Sequence, residues 1–105
     1  GNLEWAVSNI SAGLEEFAAR TDSTAESIHV VDASDYLTPD NQAAFDEAFA
    51  MSEADRGQLH AAIDDSDLLE EVFDTHGVDH ETAVGIDVLD DGSVVIFYNN
   101  PEGGQ

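Results

Sequence analysis

Apolar residues at Leu3, Val7, Ile10, Leu14 and Phe17 recur at helical spacing with one clean stripe, which predicts a single amphipathic helix over residues 3–19. Thr21 to Thr24 then break the pattern. Trp5 stands off that stripe: at 100° per residue it falls nearly opposite, on a face shared with Asn9, Ala12, Glu16 and Ala19. Ser27 to Asp32 has the β-branched enrichment of a short strand, with Ile28 and Val30 on one side and His29 and Val31 on the other. Three short helices follow. Thr38-Pro39-Asp40-Asn41 is a helix start, with Thr38 as cap and Pro39 at the first helical position, and the helix buries Phe45, Ala48 and Phe49. Ser52 caps the next, which carries Leu59, Ala62 and Ile63. Asp65 or Ser66 caps the third, where Leu69, Val72, Phe73 and His76 share a face and Gly77 supplies the stop.

The chain's most definite pattern is Thr82 to Asn100. Val84, Ile86 and Val88 alternate up to Asp90-Asp91-Gly92, and an unbroken apolar run from Val94 to Tyr98 follows, which is a β-hairpin. With Gly92 in the left-handed region, Leu89 pairs with Ser93, and Val84, Ile86 and Val88 face Tyr98, Ile96 and Val94. That register gathers one apolar face. A two-residue Asp91-Gly92 turn shifts it by one and is the less favoured choice. The whole reads as a single α+β domain over residues 1–100, with the first strand joining the hairpin in a small antiparallel three-stranded sheet, and a disordered tail at 101–105. The order of elements resembles a winged helix with one extra helix. The resemblance stops at outline: Arg56 alone sits in the middle helices and the wing tip is Asp90-Asp91, so no DNA-reading role is carried over.

Charge changes the picture more than any motif. Against 24 Asp and Glu stand two Arg, Arg20 and Arg56, and no Lys, for a formal net charge of −22. Such self-repulsion opposes a compact state in dilute buffer and is largely screened at molar salt, where the Debye length is about 3 Å. The composition resembles that of salt-in halophiles such as the haloarchaea, in which surface Lys gives way to acid. A mimic of DNA, which blocks another protein's nucleic-acid site with carboxylates spaced like phosphates, needs acid on one face only. Here the acids number six in residues 1–34, thirteen in 35–80 and five in 81–105. That spread favours salt adaptation. The densest stretch, Asp64, Asp65, Asp67, Glu70 and Glu71, is the acidic patch a mimic would use.

Chemistry is thin. There is no cysteine, no apolar run approaches the roughly 18 residues that span a bilayer, and no signal peptide is visible, so a soluble, cytoplasmic protein is expected. Gly1 and the lone methionine, Met51, read as a processed product or an excised domain. His76 and His80 have metal-ligand spacing, with Asp79 and Glu81 adjacent, but Gly77 ends the helix between them and His76 extends an apolar stripe. His60 can pair with Asp64 one turn on, and His29 sits mid-strand; both read as structural. Neither Asp64-Asp65-Ser66-Asp67 nor Asp90-Asp91-Gly92 has the ligand series of an EF-hand, and no nucleophile-base set or phosphate-cradling loop is present. Asn9-Ile10-Ser11 and Gly103-Gly104-Gln105 match short motifs without their contexts. No cofactor, no catalytic or metal residue, no membrane contact and no direct nucleic-acid contact is therefore expected. The leading expectation is a non-enzymatic regulatory or assembly domain that binds another protein or a second copy of itself through Trp5, Ala12 and Glu16. A DNA-mimic inhibitor is the alternative, and a metal-assisted enzyme the third reading.

Overall fold

A computed structural model describes residues 2–20 and 23–99. The expected tail at 101–105 lies outside the described residues. The described elements are α1 (Asn2–Ser8), α2 (Ile10–Ala19), β1 (Ile28–Asp32), α3 (Gln42–Met51), α4 (Glu53–Asp65), α5 (Asp67–His76), β2 (Ala83–Val88) and β3 (Val94–Tyr98). The α+β order of helix, strand, three helices and hairpin is as the pattern predicts. Among the described residues no helix is long and apolar enough to cross a membrane.

The hairpin takes the favoured register. Val88 pairs with Val94 and Ile86 with Ile96. Leu89 N–H donates to Ser93 O at 2.7 Å, Gly92 N–H to Leu89 O at 3.0 Å, and Gly92 has φ +93°. Beyond Gly85 a bulge slips the pairing, so Tyr98 meets Ala83 rather than Val84. The extra residue turns Val84 to the opposite face. Val84 then packs with Leu3, Ala6, Val7, Ala33, Phe45 and Phe97, while Ile86 and Val88 pack with Ile10, Ile28, Leu59, Ile63, Leu69, Val72, Phe73, Val94 and Ile96. Each face of the sheet therefore carries its own core cluster.

The sheet order is β1-β3-β2, and β1 runs parallel to β3, which corrects the expected all-antiparallel sheet. The reason lies in β3. Its five consecutive apolar residues suit a central strand, buried on both faces and flanked on both edges. A hairpin's two strands run oppositely, so the choice of β3 rather than β2 as neighbour sets the sense of β1.

The single N-terminal helix is also corrected: it bends at Asn9, whose φ −126° and ψ 41° leave the helical region. Asn9 Nδ2 donates to Trp5 O at 3.0 Å, a carbonyl that also accepts the Asn9 N–H at 2.8 Å, so the side chain competes with the backbone ladder. The bend sends Leu3, Ala6 and Val7 to one core cluster and Ile10 to the other. Both segments approach β2 at glycines. A Cβ at Gly85 would lie 2.9 Å from Ala6 C, and one at Gly13 2.8 Å from Ile86 O.

Helix ends follow the caps with two changes. Ser66 Oγ accepts Leu69 N–H at 3.2 Å, and Gly77 at φ +68° ends α5 with Val78 N–H reaching Phe73 O at 3.0 Å. Thr38 and Asn41 exchange bonds in a turn before α3, which delays the helix to Gln42. Ser52 does not cap α4 with its side chain; its hydroxyl donates to Phe49 O at 3.2 Å and accepts from Arg56 Nη1 at 2.9 Å.

Candidate functional site

All three residues singled out for contact are exposed, Trp5 before the break at Asn9 and Ala12 and Glu16 after it. Trp5 is 40% exposed on α1, between the buried Leu3 and Ala6, and Ala12 and Glu16 are exposed on α2. Tyr36 and Met51 are the other large apolar side chains that reach solvent, at 50% and 82% exposure. The Trp5 carbonyl accepts both the Asn9 N–H and Asn9 Nδ2, which holds the Trp5 backbone in place.

A second feature was not read from sequence. Cross-strand rows on one sheet face run His29–Val95–Asp87 and Val31–Phe97–Gly85. Helix α1 and the 3-10 turn Ala33–Tyr36 lie over the second row: Gly85 touches the α1 backbone, and Tyr36 meets Phe97 edge-on at 5.4 Å between ring centroids. The first row is left partly open, and Leu3, Tyr36, Asp87, Leu89, Val95 and Phe97 line a cavity of about 260 Å³ there. The sequence hid it because Asp87 and Leu89 fall on the side of the hairpin that alternation marks as solvent-facing.

Burial is the main cause that pushes the Asp87 carboxyl above its ordinary value of 3.8, and the charges of Glu16 and Asp90 add to it. Asp91 is held lower, chiefly by the Ser93 N–H that its Oδ1 accepts at 2.9 Å. A raised native value means that ionised Asp87 destabilises the fold above that value, and the penalty is relieved as pH falls through it toward 3.8. The depressed Asp91 works oppositely: its stabilisation is present above 3.8 and is lost as pH falls through its lower native value. Thermal melts at fixed salt are therefore expected to show the Tm of wild type rising relative to that of Asp87→Asn as pH falls from neutral through the raised native value of Asp87 toward 3.8. A wild-type and variant slope that coincide would contradict this.

The two arginines are half-buried. Arg56 donates to Phe49 O and lies 3.7 Å over the Phe49 ring, so it closes the C-terminal end of α3, where cations are favoured. Arg20 follows α2, and its Nη1 would lie 3.3 Å from a Cβ at Gly92, which places it at the hairpin turn.

The acidic patch spans the α4–α5 joint. Asp64, Asp65, Asp67 and Glu71 are exposed, and Glu70 is pushed up, first by a hydrogen bond with Asp64 and then by burial and the charges of Asp64, Asp67 and Asp74. The histidines are dispersed. His60 Nε2–H donates to Ala83 O at 2.9 Å, not to Asp64, which ties α4 to β2. His76 Nδ1–H donates to Val72 O at 2.8 Å, and His80 lies beyond the Gly77 stop with Nδ1 3.9 Å from Asp79 Oδ1. Among the described residues no group of three or more His, Asp or Glu is arranged to hold a metal ion.

Comparison of the chain with protein-family models, with curated proteins and with solved structures finds no match.

Proposed function

We propose that this chain is a salt-adapted, non-enzymatic domain that binds another protein, with the Trp5 face of the bent N-terminal helix as its contact surface. The observation that carries this reading is Trp5 itself. Trp5 is 40% exposed, on a helix where Ala6 and Val7 are 0% exposed, and it belongs to neither core cluster. Large aromatic side chains in such positions dominate binding energy when a partner covers them, and small or short residues beside them let a partner approach closely. Ala12 and Glu16 are exposed one and two turns beyond the Asn9 bend.

Because Trp5 is the only tryptophan, its fluorescence reports on this surface without labelling. In the free protein at molar KCl it is expected to be readily quenched by acrylamide. Addition of a partner purified from a high-salt extract should shift its emission to the blue and protect it from quencher. Binding that leaves both unchanged would place the contact elsewhere.

A DNA-mimic role for Asp64, Asp65, Asp67, Glu70 and Glu71 is the competing reading. A mimic needs acid gathered on one face, whereas the acids here are spread along the chain, six in residues 1–34, thirteen in 35–80 and five in 81–105, which is why the apolar surface is preferred.

A further inference from the structure

We infer that the open sheet-face cavity between Asp87 and Tyr36 is a socket for one basic side chain, a lysine or arginine supplied by a partner protein. The inference rests on the protein-binding reading above and gives it a partner chemistry. The cavity has an apolar floor and wall, Val95, Phe97, Leu89 and Leu3, with the Tyr36 ring at the rim and a single carboxylate, Asp87. At about 260 Å³ it falls below the roughly 300–1,000 Å³ typical of small-molecule sites. One long side chain fits that scale better than a metabolite.

Charge decides which side chain. Among the described residues the Asp87 carboxylate makes no hydrogen bond or ion pair. It is faced by Glu16 from α2 and Asp90 from the hairpin turn, so the local field is negative and uncompensated. His29 lies on the same row beyond Val95, about 10 Å away at the usual strand spacing. An amphipathic cation answers both halves of the site. Its methylene stem covers Val95 and Leu89 while its head reaches Asp87, and an aromatic rim adds cation–π attraction.

The composition argues against a second copy as the source. This chain has no Lys, Arg56 is engaged with Phe49 and Ser52, and two copies of formal net charge −22 repel each other, which leaves Arg20 at the hairpin turn as a poor donor. The cation comes from a different protein.

The test uses N-acetyl-lysine methylamide and its neutral counterpart, N-acetyl-norleucine methylamide, titrated into the 15N-labelled protein at the lowest KCl concentration that keeps it folded. The lysine probe is expected to shift the amides of Asp87, Leu89 and Val95 saturably and to bind about fivefold more tightly than norleucine, the scale of one partly screened charge pair. Asp87→Asn should erase that preference while the protein stays folded, since it removes a desolvated charge set beside two like charges. Equal binding of the two probes, an unchanged preference in Asp87→Asn, absence of saturable shifts, or lysine-induced shifts that map to Asp64, Asp65, Asp67, Glu70 and Glu71 would each overturn the socket. Any of those results leaves the Trp5 contact to stand or fall on its own fluorescence and variant data.

Discussion

Gly85→Ala is expected to lower Tm by about 12–24 °C, whereas Gly57→Ala, the same change on α4, should raise it slightly. The difference lies in what the added methyl meets. At Gly85 it would sit 2.9 Å from Ala6 C and 3.0 Å from both Ala6 O and Val7 N, all backbone atoms that cannot swing aside. Relief requires α1 to lift from β2, which loosens the cluster of Leu3, Ala6, Val7, Phe45, Val84 and Phe97. Overpacking of this kind costs about 3 kcal/mol at the upper end of its usual range, which in a domain of about 100 residues corresponds to the stated shift. Gly57 has nothing within 4 Å of its added Cβ. There the change only removes a helix penalty of up to about 1 kcal/mol. Thermal melts of both variants in molar KCl measure the contrast, and two similar small effects would show that α1 does not rest on β2 as described.

In about 10 mM KCl at neutral pH the protein is expected to be largely unfolded, and to gain helix and strand signal by circular dichroism as KCl rises to molar. At the lower concentration the Debye length is about 30 Å, comparable with the 37 × 28 × 25 Å extents of the molecule, so every carboxylate repels nearly every other. Few cations offset this. Arg56 is committed to the end of α3, and both Glu70 and Asp87 bear the mark of neighbouring acids in their raised values. A marginal total stability of about 5–15 kcal/mol leaves little margin for such repulsion. An unchanged melting temperature between about 10 mM and molar salt would remove the case for salt adaptation.

What could be read from the residues was whatever local geometry decides. Gly92 and Gly77 each stand where φ is positive, so the hairpin turn and the end of α5 were legible. Ser66 caps because its hydroxyl lies within one turn of the amide that it accepts. The parallel sense of β1 was not legible, because a five-residue strand carries no mark of which hairpin edge it joins. The bend at Asn9 leaves the apolar spacing from Leu3 to Phe17 unbroken, so periodicity passes over it. His60 was assigned to a neighbour on its own helix, whereas its partner is the carbonyl of Ala83, 23 residues away. The exposure of Trp5 was legible, since it stands off the stripe of Leu3 and Val7 within its own short helix. The Asp87 cavity was not, because it exists only where α1 and the Ala33–Tyr36 turn leave the first row of the sheet uncovered.

The most direct test of the account is capture of the partner in molar KCl with two variants compared against wild type. One is Trp5→Ala; the other replaces Asp64, Asp65, Asp67, Glu70 and Glu71 by their amides. If the contact is apolar and centred on Trp5, the amide variant binds as wild type does, wild-type affinity barely changes with salt once the fold is formed, and Trp5→Ala loses on the order of 2 kcal/mol or more. Normal binding by Trp5→Ala, together with loss of binding in the amide variant and a steep fall in affinity as salt rises, would contradict it.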